Sequence, residues 1–106
     1  MKKTQLGEFE ELVLLVIGVL QKDAYSMSIR EELRKNTGRD PSIGALHSSL
    51  NRLEEKGFIS SYEGGATHER GGRRKRFFEI TEAGKIAAKS AYELRSGLYK
   101  LIPGIS

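Results

Sequence analysis

SIGALHSSLNRLEEKGFI, residues 42–59, is the stretch on which the rest of the chain is arranged. Ile43, Leu46, Leu50 and Leu53 fall on one stripe of a helix with about 3.6 residues per turn, so that face belongs to a core. Gly44, Ala45, Ser48, Asn51 and Arg52 lie away from the stripe, and His47 sits at its margin. Ser42 is a good N-cap, Pro41 keeps Asp40 extended, and Gly57 stops the helix before the β-favouring pair Phe58 and Ile59. Taken alone, this is an ordinary amphipathic surface helix. Followed by a strand, a glycine-rich tip and a second, basic strand, it has the order of a winged helix-turn-helix. In that fold the second helix of the motif enters the major groove and a hairpin flanks it.

Composition sets the bounds. The chain has 106 residues, enough for one domain with a modest core that a partner subunit would extend. It has no cysteine, which excludes disulfides and thiolate metal sites. The longest apolar run, residues 12–20, falls short of the roughly 17–25 residues that span a bilayer. No leader precedes it, so a cytoplasmic protein is expected. The net charge of +4 is concentrated in Arg70, Arg73, Arg74, Lys75 and Arg76, a run with no acid inside it. Such a run is ordinarily a solvated face; at the end of a hairpin beside a candidate recognition helix it favours phosphate contact.

Working outward, residues 9–20 (FEELVLLVIGVL) are apolar nearly all round after Glu11, which predicts a helix buried on several sides. Two readings stay open for Leu6, Phe9 and Val13: they face a second subunit, or the domain's own helices cover them. Gly18 suggests close approach by a neighbour. A second helix capped by Ser26 is predicted to run to Thr37, burying Met27, Ile29 and Leu33. Residues 58–63 and 73–81 are the expected strands, joined by a tip bounded by paired glycines, with the apolar end anchored and the basic end projecting. Thr81 caps a last helix to about Leu101. Along it Ala83, Ala87, Ser90, Leu94, Leu98 and Leu101 recur every three or four residues, as in a two-helix seam. Gly97 beside that stripe would let a partner approach, and Tyr92 and Tyr99 repeat on an adjacent one. Dimerisation through this helix is the economical reading.

The chain resembles the PadR family of bacterial transcriptional regulators over nearly its whole length. The resemblance is carried by the apolar first helix ending at Leu20, by residues 24–29 (AYSMSI), 42–47 (SIGALH) and 50–59 (LNRLEEKGFI), and by 74–81 (RKRFFEIT) with Gly84 beyond. Two departures stand out: His47 and Ser48 occupy positions where the family typically carries Tyr and Pro, and Phe77 and Phe78 replace wing tyrosines. The resemblance implies a mainly α fold with a β-hairpin, a winged helix-turn-helix followed by a single dimerisation helix. It places Tyr25 with the DNA-binding residues and implies a homodimer held by the last helix and part of the first. Residues 1–81 would form the DNA-binding domain and 82–106 the dimerisation helix, in one compact unit.

The expected function is therefore a dimeric DNA-binding repressor on a palindromic operator. Ser42, His47, Ser48, Asn51 and Arg52 would face the groove and its phosphates, with Ser48 and Asn51 as base readers. Arg73, Arg74, Lys75 and Arg76 would meet the backbone or minor groove. Arg52 has a second reading as a helix-surface partner of Glu54 or Glu55, and His47 one as a packing residue. The dimer surface is expected at Leu6, Phe9, Val13, Ala87, Leu94, Leu98 and Leu101. A small aromatic effector between the first helix and Tyr92 and Tyr99 is a further expectation. The alternative class is a winged-helix module that binds protein without specific DNA binding. An enzyme is disfavoured: the only histidines are His47 and His68, with no metal spacing, no cofactor motif and no nucleophile beside a base.

Overall fold

The computed structural model describes residues 5–64 and 75–105. Their order is α1 (Glu8–Leu20), a single 3-10 turn (Gln21–Asp23), α2 (Ser26–Thr37), α3 (Ile43–Glu55), β1 (Ile59–Gly64), β2 (Lys75–Ile80) and α4 (Glu82–Lys100). The strands pair antiparallel with Ile59 opposite Ile80 and Gly64 opposite Lys75. The fold is thus mainly helical with one hairpin. The expected tip between the strands, with Arg70, Arg73 and Arg74, lies outside the described residues.

The apolar stripes meet where their periodicities direct them. Val13, Leu14, Val16 and Ile17 of α1 pack against Ile29 and Leu33 of α2, and Leu46, Leu50 and Leu53 of α3 complete the core with Phe58, Ile59 and Phe78. Phe78 nails the hairpin to the helices: its ring is buried and its N–H donates to the Ala24 carbonyl at 2.9 Å. At the other end of the hairpin the Thr81 N–H donates to Phe58 O at 3.0 Å, and its hydroxyl donates to Gly57 O at 2.7 Å. The same hydroxyl caps α4 by accepting from the Gly84 N–H. A Cβ on Gly84 would stand 2.1 Å from Phe58 O, so α4 reaches the corner between α3 and β1 only through a glycine.

Several expected core and cap positions are corrected. Met27 lies about 200° round α2 from Ile29, on the solvent side, and is exposed. Ile43, in the first turn of α3, has no element above it and is also exposed. Tyr25, not Ser26, is the N-cap of α2, its N–H donating to Ser28 Oγ at 2.9 Å. A Cβ on Gly18 would make only an ordinary contact with Ile80, so the close approach expected there occurs at Gly84. Val13 is fully buried in its own domain and has no surface to offer a second subunit. Leu6, Phe9 and Ala87 are half-buried against the same core. The apolar side chains that α1 does expose are Leu15 and Val19.

α4 buries only Gly84 and Ala88. Beyond them Leu94, Leu98 and Leu101 are 66, 60 and 76 % exposed, and Tyr92, Tyr99 and Ile102 are exposed beside them. Arg95 turns back to form an ion pair with the buried Glu11 of α1, although Glu11 Oε1 accepts no well-aligned hydrogen bond.

The most constrained polar group is Glu10. It is 6 % exposed, and one carboxylate joins α1 to α3: Oε1 accepts from Lys56 Nζ at 2.6 Å and Oε2 from Arg52 Nε at 2.5 Å. Oε1 also accepts from the Gly7 N–H at 3.3 Å, closing the helix start. Burial pulls its pKa upward, but the bonds from Lys56, Arg52 and Gly7 together outweigh burial and hold it below the ordinary 4.5. A lowered carboxylate pKa contributes stability above the unfolded value, and loses it as pH falls through the folded one. Glu10→Gln is expected to cost about 2 kcal/mol at neutral pH, less than the roughly 3–5 of a fully buried pair because Arg52 is half exposed. The stability gap between parent and variant, measured by urea unfolding, should shrink as pH falls below 4.5. A gap independent of pH contradicts the ion-pair account.

Candidate nucleic-acid interface

α3 presents two faces of opposite character. Leu46, Ser49, Leu50 and Leu53 are buried, whereas Gly44, Ala45, His47, Ser48 and Asn51 are exposed. Ser48 and Asn51 lie three residues apart on that outer face, and among the described residues neither side chain has a hydrogen-bond partner. They are uncharged, short and presented by a rigid element, which is the form a base reader takes. Ser42 does something else with its hydroxyl: it accepts from the Ala45 N–H at 3.1 Å and fixes where the helix begins.

His47 is tied to the neighbouring helix. Its Nε2 lies 3.2 Å from Ser26 Oγ in the first turn of α2, so the ring is exposed yet fixed in orientation rather than packed in the core. Ser26 is a site neighbour that the sequence pattern did not single out, because the two residues are 21 apart.

Arg52 does not take the helix-surface partners expected for it. It bonds Glu10 and, through Nη2 at 3.3 Å, Ser49 Oγ. Glu54 and Glu55 are not its partners. The acid that claims it comes from α1, which helical spacing within α3 does not reveal. With Lys56 on the same carboxylate, both cations of α3 are engaged with the chain itself.

The wing divides its basic residues. Lys75 is exposed and its Nζ lies 4.1 Å above the Tyr25 ring. Tyr25 meets Phe77 edge-on at 5.5 Å, and Phe77 stacks on Tyr62 at 5.7 Å. Three aromatic rings from α2's cap and both strands thus carry Lys75 beside the start of α2. Tyr62 was not singled out by sequence; the strand register that sets it opposite Phe77 is the signal that finds it. Arg76, unlike Lys75, is engaged by an acid. Its Nη2 lies 2.7 Å from Glu54 Oε1 and 3.3 Å from Ser61 Oγ, and its guanidinium rests 5.2 Å from the centre of the Phe78 ring. Arg73 and Arg74 lie outside the described residues.

Among the described residues no group of three potential metal ligands occurs, and no helix is long and apolar enough to cross a membrane.

Residues 13–90 match the PadR-like family of transcriptional regulators. Three solved structures share the fold. A PadR family transcription regulator from hypervirulent Clostridium difficile R20291 is 22% identical, with a TM-score of 0.75 over 91% of this chain and 95% of that one. A PadR-like transcription factor from Bacteroides fragilis is 18% identical, with a TM-score of 0.76 over 92% and 89%. A transcriptional regulator from Clostridium thermocellum is 25% identical, with a TM-score of 0.71 over 88% and 84%. No curated protein matches the chain.

The partnering of Arg52 has a measurable consequence. Arg52→Ala removes one of two cations from a buried carboxylate and is expected to cost about 1 kcal/mol, or roughly 4 °C in melting temperature. Glu55→Ala should leave the melting temperature nearly unchanged. Equal small shifts for the two variants contradict the assignment of Arg52 to Glu10.

Proposed function

The chain belongs to the PadR-like family of transcriptional regulators, and from that premise we propose that it acts as a homodimeric, sequence-specific repressor of duplex DNA. The observation that carries the reading is the outer face of α3, where Ser48 and Asn51 stand exposed and unpartnered on a helix whose other face is locked into the core. In this reading α3 enters the major groove, Asn51 and Ser48 contact base edges, and His47 bonds a base edge or phosphate. Lys75, with Arg73 and Arg74, meets the sugar-phosphate backbone, and Tyr25 supports Lys75. Because the cations of α3 are turned inward to Glu10, affinity comes from the wing and specificity from the neutral helix.

Binding should then be strongly electrostatic. If each subunit neutralises about three or four phosphates, log K against log salt for the dimer has a slope of roughly −5 to −7, from ~0.9 per phosphate. Replacing Arg73, Arg74 and Lys75 by Ala should flatten that slope and weaken all sequences alike in a gel shift. An unchanged slope takes the wing out of the interface. Absence of salt-dependent binding to any duplex favours the protein-binding alternative.

We assign the second half of α4 to dimerisation, with residues 1–81 as the DNA-binding part. Its apolar side chains are left mostly uncovered by their own domain, and an exposed stripe of this kind is the mark of an association surface. Leu15 and Val19 of α1, with Leu6 and Phe9 at its start, are proposed to join it. For the small aromatic effector, the groove offered is one of about 570 Å³ lined by Leu6, Phe58, Ile86, Ala91 and Leu94, which Tyr92 and Tyr99, the expected walls, do not line. Two recognition helices related by a twofold axis reach half-sites about 34 Å apart, so a palindrome requires the dimer. Since Leu94 and Leu98 are exposed in the single chain, Leu94→Glu with Leu98→Glu leaves the core intact. The expected product is a folded monomer that binds a palindromic site at least ~10²-fold more weakly while keeping non-specific binding. Sedimentation beside a gel shift checks this, and a folded dimer contradicts it.

A further inference from the structure

Arg76 stands inside the basic run, yet its guanidinium is turned toward α3 and β1. Three elements converge on it: Glu54 in the last turn of α3, Ser61 on β1, and β2 itself. Ser61 Oγ donates to Glu54 Oε2 at 2.8 Å, while Arg76 Nη2 reaches Glu54 Oε1 at 2.7 Å, so hydroxyl and guanidinium hold both oxygens of one carboxylate. The guanidinium plane has a further support in the Phe78 ring, the same ring that fixes the hairpin to the core. An Arg can hold such an arrangement because its donors are set in a rigid planar fork. The Glu54 side chain is only one-third exposed, and Glu54 lies one helical turn from Asn51.

The hairpin is otherwise held through Phe78, the Ala24 carbonyl and Thr81 at its base, and through Phe77 and Lys75 against Tyr25 at the start of α2. A two-stranded ribbon held on its α2 side can still rock toward or away from α3, which would change the distance between the wing and the outer face of α3. The Arg76–Glu54–Ser61 cluster is the contact that opposes this, because it bridges hairpin and recognition helix directly. If Arg76 left for a phosphate, the Glu54 carboxylate would lose its counter-ion beside a polyanion, which is unfavourable. Holding Glu54 is therefore favoured over leaving it for a phosphate.

We infer that Arg76 is a positioning residue for sequence recognition, which fixes the wing at one angle to α3 through Glu54 and Ser61, and is not a phosphate contact. This rests on the DNA-binding reading above. A cation on DNA contributes to the salt slope and to every sequence alike; a strut between wing and helix contributes to the preferred site, where both must fit at once.

The test uses the full chain with Arg76→Gln, Ser61→Ala, and the exchange Glu54→Arg with Arg76→Glu, each shown to be folded by its melting curve. Arg76→Gln should lower the ratio of specific to non-specific affinity about tenfold while leaving the salt slope and the non-specific affinity unchanged. Ser61→Ala, which removes one hydroxyl and no charge, should lower that ratio about threefold. The exchange should bind the preferred site better than Arg76→Glu alone. In the DNA-free protein, hydrogen exchange at the amides of β1 and β2 should accelerate in Arg76→Gln, a readout that does not depend on DNA. A slope flattened by about 1.8 for the dimer of Arg76→Gln, with all sequences weakened equally, overturns the inference and returns Arg76 to the phosphates. Unchanged amide exchange overturns it as well. A parent protein that binds no duplex defeats the DNA-binding reading instead, and the exchange data still decide whether the strut exists.

Discussion

One carboxylate holds α3. Glu10 sits at the start of α1 with its oxygens divided between Lys56, Arg52 and the Gly7 N–H, and nearly all of it is removed from water. A buried charge is tolerated only when it is fully paired, so this group ties the C-terminal half of α3 to α1 and favours the pose in which both the Arg52 and the Lys56 bonds form. The hydrophobic stripe of Leu46, Leu50 and Leu53 sets which face of α3 meets the core, and the directional ion pairs hold it there. Rotation decides whether Ser48 and Asn51 point outward together.

The same pairing redistributes charge over the proposed interface. Arg52 and Lys56 are engaged by Glu10, and Arg76 by Glu54, so the cations nearest the outer face of α3 serve the architecture. What remains on that face is short and polar, with the exposed Glu55 one turn beyond Asn51. In the proposed reading, base contact and long-range attraction then fall to different elements, short side chains on α3 and cations on the wing. The aromatic group of Tyr25, Tyr62 and Phe77 completes the arrangement by carrying Lys75 close to the first turn of α2.

α4 shows the opposite relation to the core. Its first turns are held by the Thr81 cap and by the close seat of Gly84 against Phe58, while its second half carries leucines and tyrosines that its own domain leaves uncovered. Only Arg95, paired with Glu11, ties that half back to α1. A helix of this length gains little from propensity alone and most from packing an apolar face, so its second half is the part of the chain whose energetics point beyond a single subunit.

The sequence by itself determined the elements and their order. Caps at Ser42 and Thr81, the stop at Gly57, and the leucine stripes of α3 and α4 are local signals, and local signals survive in one dimension because each acts within about one helical turn. They also placed Ser48 and Asn51 on the outer face of α3 and Leu94, Leu98 and Leu101 on an uncovered one. Tertiary structure alone decided the partners of the charges. Arg52 meets Glu10 and Arg76 meets Glu54 across separations of 42 and 22 residues. His47 meets Ser26 across 21. It also decided that Val13 belongs inside and Leu15 and Val19 outside, because a helix apolar nearly all round carries no periodic mark of which face its neighbours cover. A charged side chain is long and non-periodic in its demands, so its destination is fixed only when the folded chain brings an opposite charge within reach and excludes the water that would otherwise satisfy it.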